Sequence, residues 1–387
     1  MLINFYTPHQ RKASVSPPLG VRDQIYEATP NWPWLQELIT HITGCPYTGQ
    51  KALFWLTPSH YIVGYSLAFF GGLALSAAAF LKGFYGLVPM GWLLTLGGVA
   101  GYQLGLIHNA SHLKVLKGKT QNLWLARILA VLILMGDAVL YFSGHRLHHA
   151  PKTHQTAVDN TIKALFDDLG FQPGQPVADY WCNLLQLLNP WFLLKFVIGN
   201  RFWNCFLTPN LTSRRLAWGF WLAVALLLTV TQQWLTFAVA YGVPVLVFYS
   251  MIHYIRLTVE HKAPELAVML HRDKRYVAES TDAVFLGEAP PVGYGVIAWT
   301  GWWFRLFFWH GLIRWLICPA DVPVHDYHTR LAGNPREDWA NAIWHRQAQQ
   351  EAGCPGWPSL YTENWGFFRS MNSVFNSFSQ LPGDYQF

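Results

Sequence analysis

Charged residues are scarce in this chain. Only 12% of its 387 residues are Asp, Glu, Lys or Arg, whereas an ordinary soluble domain carries about 25%. Aromatic residues are abundant instead, with 20 Trp, 17 Tyr and 25 Phe. Low charge with many Trp and Tyr is typical of proteins whose sides contact lipid and whose rims lie among headgroups. A large soluble core would give a similar composition, so composition alone leaves both classes open.

Clustered basic residues and paired cysteines are also missing. The net charge of +6 is spread along the chain without a basic run, which argues against a nucleic-acid-binding surface. The five cysteines are odd in number and form no Cys-x-x-Cys. Neither a disulfide framework nor an all-cysteine zinc or iron–sulfur site is therefore expected.

Four apolar segments approach the length of about 20 residues that a bilayer span requires. They form two pairs, each with a short turn: 60–81 with 87–107, and 216–231 with 235–255. Basic residues lie outside both pairs, at Lys114, Lys117, Lys119, Arg214, Arg215 and Arg256. The positive-inside rule then predicts that both turns face outward and that everything else faces the cytosol.

Three further apolar stretches contain charges. Stretch 123–142 carries Arg127 and Asp137, stretch 192–207 carries two basic residues, and so does the Trp-rich stretch 297–319. Charges are costly at a lipid-facing midplane, so we expect these stretches to lie along the interface. The last twenty residues, rich in Ser, Asn and Phe, are predicted to be poorly ordered.

The 16 histidines are concentrated at the ends of the apolar stretches. Three groups and one Glu-His pair stand out: His108 and His112 in "HNASH", His145, His148 and His149 in "HRLHH", His325 and His328 in "HDYH", and Glu260 and His261 in "RLTVEH". A lone histidine there is usually only a polar boundary residue, but packing does not explain three groups. Imidazole is a common ligand of iron, zinc and copper. Eight histidines are too many for one tetrahedral zinc, so we expect two metal ions.

A shared metal centre requires all these histidines on one side of the membrane. If 123–142 crossed the bilayer, His145 would emerge about 30 Å from His112. That stretch must therefore follow the interface or re-enter, which leaves four spans. The prediction is an all-α integral membrane fold: two transmembrane helical hairpins, interfacial helices and a cytosolic histidine-rich metal-binding cap. Residues 1–58 would be a cytosolic N-terminal segment, 59–330 the membrane domain, and 331–387 a cytosolic tail.

The pattern His-x-x-x-His, His-x-x-His-His and a late His-x-x-His on two apolar hairpins resembles the membrane-bound fatty acid desaturase superfamily, over roughly 60–330. The resemblance implies a non-haem centre of two iron ions with O₂ as co-substrate and an acyl lipid as substrate. It implies eight ligands: His108, His112, His145, His148, His149, His261, His325 and His328. Candidates for supporting these ligands are Asp159, which lies where members often carry an acidic residue, and Glu260, His154 and His253.

The implied reaction is desaturation, in which two neighbouring hydrogens leave the acyl chain. Electrons would come from a separate donor protein of the ferredoxin or cytochrome b5 type. The chain itself has neither a His-Pro-Gly-Gly motif nor a Gly-rich dinucleotide motif after a strand.

The third histidine group departs from the family pattern. Members usually end this group with two adjacent histidines, and here Thr329 takes the second place. Three outcomes stay open: water or another histidine (His253, His154 or His345) fills the position, the metal chemistry is altered, or the enzyme is impaired.

Other functions are compatible with parts of this pattern. The same scaffold catalyses hydroxylation or ketolation of lipids or carotenoids, and the product would show added oxygen. A b-type haem electron-transfer protein would need single histidines facing each other on spanning helices. A non-enzymatic scaffold that has lost its metal is the third alternative, with Thr329 as its only indication.

Overall fold

In a computed structural model of the chain, the structure describes residues 20–293, 295–334 and 337–387. The predicted N-terminal segment 1–58 therefore lies partly outside the described residues. The described chain is mostly helical, with one pair of short strands. Besides the elements discussed below, its helical segments are Val21–Ala28, Pro33–Thr43, Asn160–Ile162, Lys163–Asp168, Leu266–His271, Lys274–Glu279, Val296–Phe304, Arg305–His310, Gly311–Leu316, Val322–Val324, His325–Leu331, Trp339–Asn341 and Ala342–Glu351.

Four long helices correspond to the four predicted spans. By length and apolar composition, the helices that can cross a membrane are Pro58–Leu81, Tyr85–Ser111, Leu211–Thr231 and Trp234–Glu260, called here the first to fourth long helices. The second and fourth extend beyond the apolar segments that predicted them. The second therefore carries His108 on its last turn, and the fourth ends at Glu260.

Small residues bring the first two long helices together. A Cβ atom added at Gly98 would lie 2.6 Å from the backbone nitrogen of Phe69, and one at Gly91 would lie 2.2 Å from Ser76 Oγ. Residue numbers rise along one helix as they fall along the other, so the helices are antiparallel. Without a hydrophobic driving force between helices in lipid, such close backbone contact is a main source of association.

Both helices that lead to the histidines contain wide π-helical turns. These cover Gly101–Ile107 in the second long helix and Ala238–Phe248, with Pro244 inside it, in the fourth. Turns of this kind are rare and often occur at functional sites, because they change the direction in which the following side chains point.

Stretch 123–142 is not one helix. Lys119–Leu132 ends before a break in which Leu134 and Gly136 have positive φ, and Ala138–His149 begins after it. Asp137 caps the new helix, since its carboxylate accepts a hydrogen bond of 2.6 Å from the Val139 amide. Neither of these two helices is among the four that could cross a membrane by length and composition, and the interfacial or re-entrant position of the stretch stays a prediction.

Stretch 192–207 lies in a bent helical pair. Val177–Leu188 and Pro190–Phe206 meet at 77° and together are apolar enough for a broken span or a re-entrant loop. Its interfacial position, and that of the aromatic stretch 297–319, stay predictions.

The prediction of a poorly ordered C-terminus is wrong. Residues Phe367–Ser379 form a helix, and its apolar residues recur at helical spacing and are buried: Phe367, Met371, Val374, Phe375 and Phe378. They pack in one core with Leu165, Tyr180 and Tyr254, while the Ser and Asn residues between them mostly face outward. The apolar residues form an amphipathic stripe, which the overall composition of the segment does not show.

The all-α prediction also needs a correction. Ala283–Phe285 pairs in parallel with Glu363–Trp365, which joins the chain after the fourth long helix to the start of the C-terminal helix.

A second core lies among the long helices and includes Phe69, Tyr102, Leu129 and Tyr241. It underlies the ends of the helices that carry the first two histidine groups.

Candidate metal centre

The structure brings all eight predicted histidines together. They come from the end of the second long helix, from Ala138–His149, from the residue after the fourth long helix, and from His325–Leu331. Two groups of potential ligand atoms contain all eight, and in each group all atoms lie within 4.8 Å of one another. We call them the five-histidine group (His108, His112, His145, His149 and His328) and the mixed group (His148, Glu260, His261 and His325).

Within the five-histidine group, the Nε2 atoms face one another. Their separations are 2.9 Å for His112–His145, 3.1 Å for His145–His149, 2.9 Å for His108–His328 and 3.3 Å for His149–His328. Neutral imidazole has one N–H, so this many ring nitrogens cannot all satisfy one another. Metal–nitrogen bonds of about 2.1 Å place ligands at right angles about 3.0 Å apart. The donor set therefore fits a metal ion.

The mixed group has the same character. His148 Nε2 lies 2.9 Å from His261 Nε2, and His325 Nε2 lies 3.5 Å from Glu260 Oε1. Among the described residues, His325 Nε2 is buried without a hydrogen-bond partner. Glu260 also forms an ion pair of 2.6 Å with Arg256. A buried ring nitrogen without a partner, beside a carboxylate and two further imidazoles, fits a second metal ion.

Asp159 contacts the ring nitrogen of His148 that points away from the mixed group. Both of its carboxylate oxygens lie 3.0 Å from His148 Nδ1, and they also accept hydrogen bonds from the amides of Gln155 and Thr161. Although burial opposes both changes, the attraction between the two groups raises the pKa of His148 and lowers that of Asp159 to about 2. The Nδ1 atom therefore carries the proton, and Nε2 presents its lone pair to the mixed group.

Glu337 plays the same part for His328, and sequence reasoning missed it. Its carboxylate lies 2.8 Å from His328 Nδ1 and forms a buried ion pair with Lys114. Opposing its burial, His328 and then Lys114 hold the pKa of Glu337 below its usual value. Glu337 lies in the stretch assigned to a tail, and no local pattern marks it. Thr281, 2.9 Å from His261 Nδ1, was also missed.

The other predicted supporting residues have different places. His154 lies beside the mixed group, with its ring 4.4 Å from that of His261 and its Nδ1 2.7 Å from the backbone oxygen of His148. His253 belongs to neither group and contacts Gln103 instead. His345 lies 3.5 Å from Asp338 and is also outside both groups.

Thr329 marks where the missing histidine would lie. Its hydroxyl donates to the backbone oxygen of His325 at 2.8 Å, and the residue lines a pocket together with His112 and His149. The gap is therefore beside the five-histidine group. Thr329, the position that departs from the family pattern, is therefore next to the group with the larger number of ligand atoms.

Burial keeps most of these imidazoles neutral. It lowers the pKa of His112 to about 2, and it holds the pKa values of His145, His149, His261 and His325 well below the usual value. Neighbouring imidazoles lower these values further. Neutral imidazole is the form that binds a metal, so the site is prepared for metal at neutral pH.

Protein stripped of metal should lose stability in mild acid. Below a pH of about 6.5, the pKa of histidine in an unfolded chain, the unfolded chain binds protons and the buried imidazoles of the folded protein do not. The free energy of unfolding therefore falls as pH falls. Each such histidine contributes up to about 1.4 kcal/mol per pH unit. His148, whose pKa is raised, acts in the opposite direction but is outnumbered.

The measurement is the melting temperature of chelator-treated protein in detergent between about pH 7.5 and about pH 5, with a progressive fall expected. A melting temperature that stays level or rises towards pH 5 would contradict the buried, neutral cluster.

A cavity of about 530 Å³ opens against the centre, within the usual range for small-molecule sites. His108, His145 and His148 form part of its wall, so both groups border it. Its apolar lining consists of Leu104, Met135, Leu140, Tyr141, Ala164, Phe196, Tyr254 and Leu257. A chain of methylene groups placed there would lie directly beside the ligand atoms.

Comparison with known proteins gives one match. The family model described as "Fatty acid desaturase" matches residues 83–312, more than half of the chain. The matched region includes His108 to His261 and ends before the third histidine group. Among curated proteins and among solved structures, nothing matches the chain.

Proposed function

The chain belongs to the fatty acid desaturase family, and from this we propose that it oxidises a C–H bond of an acyl lipid with O₂ at a di-iron centre, as a fatty acid desaturase. One observation carries the proposal: two groups of ligand atoms, which contain eight histidines, border a single cavity whose wall also has an apolar part. Acid–base groups alone do not break an unactivated C–H bond.

The two groups would each hold one iron ion. The five-histidine group supplies one ion with nitrogen ligands, and His148, His261 and His325 with Glu260 supply the other. Iron bound there would supply the O₂ activation that the reaction needs. Asp159 and Glu337 fix the tautomers of His148 and His328, so that each Nε2 lone pair points inward.

The chain's own contribution beyond the ligands is positioning. The apolar wall from Leu104 to Leu257 would hold the lipid chain so that one pair of methylenes meets the centre. A lipid chain bound against this wall would displace water from the reacting carbons, which limits side reactions.

The proposed membrane arrangement follows from charge asymmetry. The four long helices would cross the bilayer as two hairpins, with both turns outward and the histidines at the cytosolic side. Residues 59–330 would form the membrane domain, flanked by cytosolic segments 1–58 and 331–387. The contact between Glu337 and His328 places the start of the last segment against the centre.

Electrons would come from a separate ferredoxin or cytochrome b5 type protein, because this sequence has neither a His-Pro-Gly-Gly motif nor a Gly-rich dinucleotide motif. The alternative of a b-type haem protein is disfavoured by Nε2 atoms only 2.9 to 3.3 Å apart, since a haem needs its histidines on opposite faces of a macrocycle. Hydroxylation or ketolation on the same scaffold remains the second candidate, favoured by the polar groups in the cavity wall.

Expression in a host that lacks the activity tests the proposal through iron content and lipid products. We expect about two iron atoms per chain and a new lipid that has lost two hydrogens, measured by elemental analysis and mass spectrometry. The matched control is His345→Ala, which changes a histidine outside both groups and should keep both results. An added oxygen in the product would establish the second candidate, and iron-free protein or a haem absorption band would refute the proposal.

A further inference from the structure

A polar pair lines the cavity and belongs to neither ligand group. Gln103 is on the second long helix and His253 is on the fourth, and Gln103 Nε2 lies 3.2 Å from His253 Nδ1. Both residues line the cavity that is also bordered by His108, His145 and His148. The candidate metal centre does not use either of them.

The hydrogen bond between them determines what they present to the cavity. The Gln103 amide N–H donates to His253 Nδ1, so the neutral ring carries its proton on Nε2. Among the described residues, neither His253 Nε2 nor Gln103 Oε1 has a protein hydrogen-bond partner, and neither atom is fully buried. The wall therefore offers one N–H donor and one C=O acceptor side by side.

These two groups would be costly under a substrate that covered them without pairing them. The helices that carry them are apolar enough to cross a membrane, and an unpaired polar group in such surroundings is unfavourable. A plain hydrocarbon chain in the cavity would leave both groups without partners. A hydroxyl group on the chain would satisfy both, because it donates to the amide oxygen and accepts from the imidazole N–H.

The pair is held in place close to the centre. The His253 ring stacks on Phe196 at 5.9 Å with an angle of 29° between the planes. Gln103 precedes His108 by five residues within π-helical turns, in which hydrogen bonds join residues five apart. A hydroxyl bound here would lie about one helical turn from a ligand imidazole.

The charges of the cavity lining disfavour an anionic group. Five carboxylates line it, against three cations: Asp137, Asp159, Asp167, Asp168 and Glu260, against Lys163, Arg201 and Arg256. Arg256 is already paired with Glu260, and Arg201 donates to Ser250 and to a backbone oxygen. A neutral oxygen group fits this lining better than a free carboxylate or a phosphate.

We propose that Gln103 and His253 bind a hydroxyl group of the substrate, so that the enzyme acts on a neutral lipid chain that already carries a hydroxyl. This rests on the proposed lipid oxidation at the neighbouring centre. It makes the pair a specificity determinant that contacts substrate without holding metal.

The test measures binding of tritiated dodecanol and of tritiated dodecane to the full-length protein in lipid nanodiscs under argon, where no turnover occurs. Two added hydrogen bonds predict about tenfold tighter binding of the alcohol. Gln103→Leu and His253→Phe each remove one of the two bonds, so in each variant the preference should fall to about threefold, with dodecane binding unchanged or tighter. Thr95→Val is the matched control: Thr95 is a buried polar residue of the same helix, lies outside the cavity lining, and the variant should keep the tenfold preference.

Equal affinity of the unaltered protein for the two probes would overturn the proposal, and this comparison needs no variant to fold. An undiminished preference in both cavity variants would also overturn it. Binding is measured without turnover, and iron content is determined on the same preparation. A protein that prefers the alcohol but lacks iron would refute the proposed function and leave the hydroxyl-binding site supported. A protein that contains iron but does not prefer the alcohol would refute the hydroxyl-binding site and leave the proposed function supported.

Discussion

Replacing His148 by alanine is expected to abolish lipid oxidation and to lower the iron content of the purified protein. His148 supplies the Nε2 atom that lies 2.9 Å from His261 Nε2 in the mixed group. Without it, that group keeps two imidazoles and Glu260, and the buried Asp159 carboxylate loses its partner. Removing only a supporting group of a metal ligand costs 10- to 100-fold in affinity or activity, so loss of the ligand should lower activity by more than about 100-fold.

Iron per chain and the yield of oxidised lipid are the two measurements. Leu147→Ala is the control, because Leu147 precedes His148 on the same helix and is 45% exposed. His149→Ala should lower iron content separately, since His149 belongs to the five-histidine group. A His148→Ala protein that keeps all its iron and its activity would remove the second histidine group from the reaction.

Replacing Glu337 by glutamine is expected to lower iron affinity about 10- to 100-fold and to destabilise the protein. The affinity falls because His328 loses the carboxylate that fixes its tautomer. Stability falls because Lys114, whose side chain is only 7% exposed, loses its ion-pair partner. Leaving one charge of a buried pair uncompensated typically costs about 3–5 kcal/mol.

A second substitution separates these two effects. Lys114→Met combined with Glu337→Gln removes the uncompensated charge, so the melting temperature should recover towards that of the unaltered protein. Iron affinity, measured by competition with a chelator, should stay low because His328 still lacks its carboxylate. If the double variant recovered iron affinity together with stability, Glu337 would have a structural role only.

The two adjacent histidines of the second group show how far sequence reasoning reaches. Their spacing predicted that His145, His148 and His149 act together, and the structure does bring them together. It assigns His145 and His149 to one group and His148 to the other. Successive residues on a helix point about 100° apart, so neighbours in sequence turn towards different partners. Which partners are present there depends on helices that arrive from elsewhere in the chain.

The C-terminal region was the least predictable part. Composition indicated disorder for the last twenty residues, yet Phe375 and Phe378 are fully buried. Their helix is stable only where a matching apolar surface exists, and residues from 165 to 286 provide it. Glu337 was missed for a related reason: a single carboxylate in a polar stretch has no pattern until the fold places it beside Lys114 and His328.

By itself, the sequence determined the four apolar helices and the set of histidines that converge. Hydropathy and helical spacing are local properties, and the chain carries them wherever it folds. The tertiary structure alone decided how the histidines divide into two groups, that Thr329 lies beside the group with five imidazoles, and that Gln103 and His253 pair in the cavity wall. Each of these depends on contacts between residues far apart in the chain, and such contacts are fixed only when the helices pack.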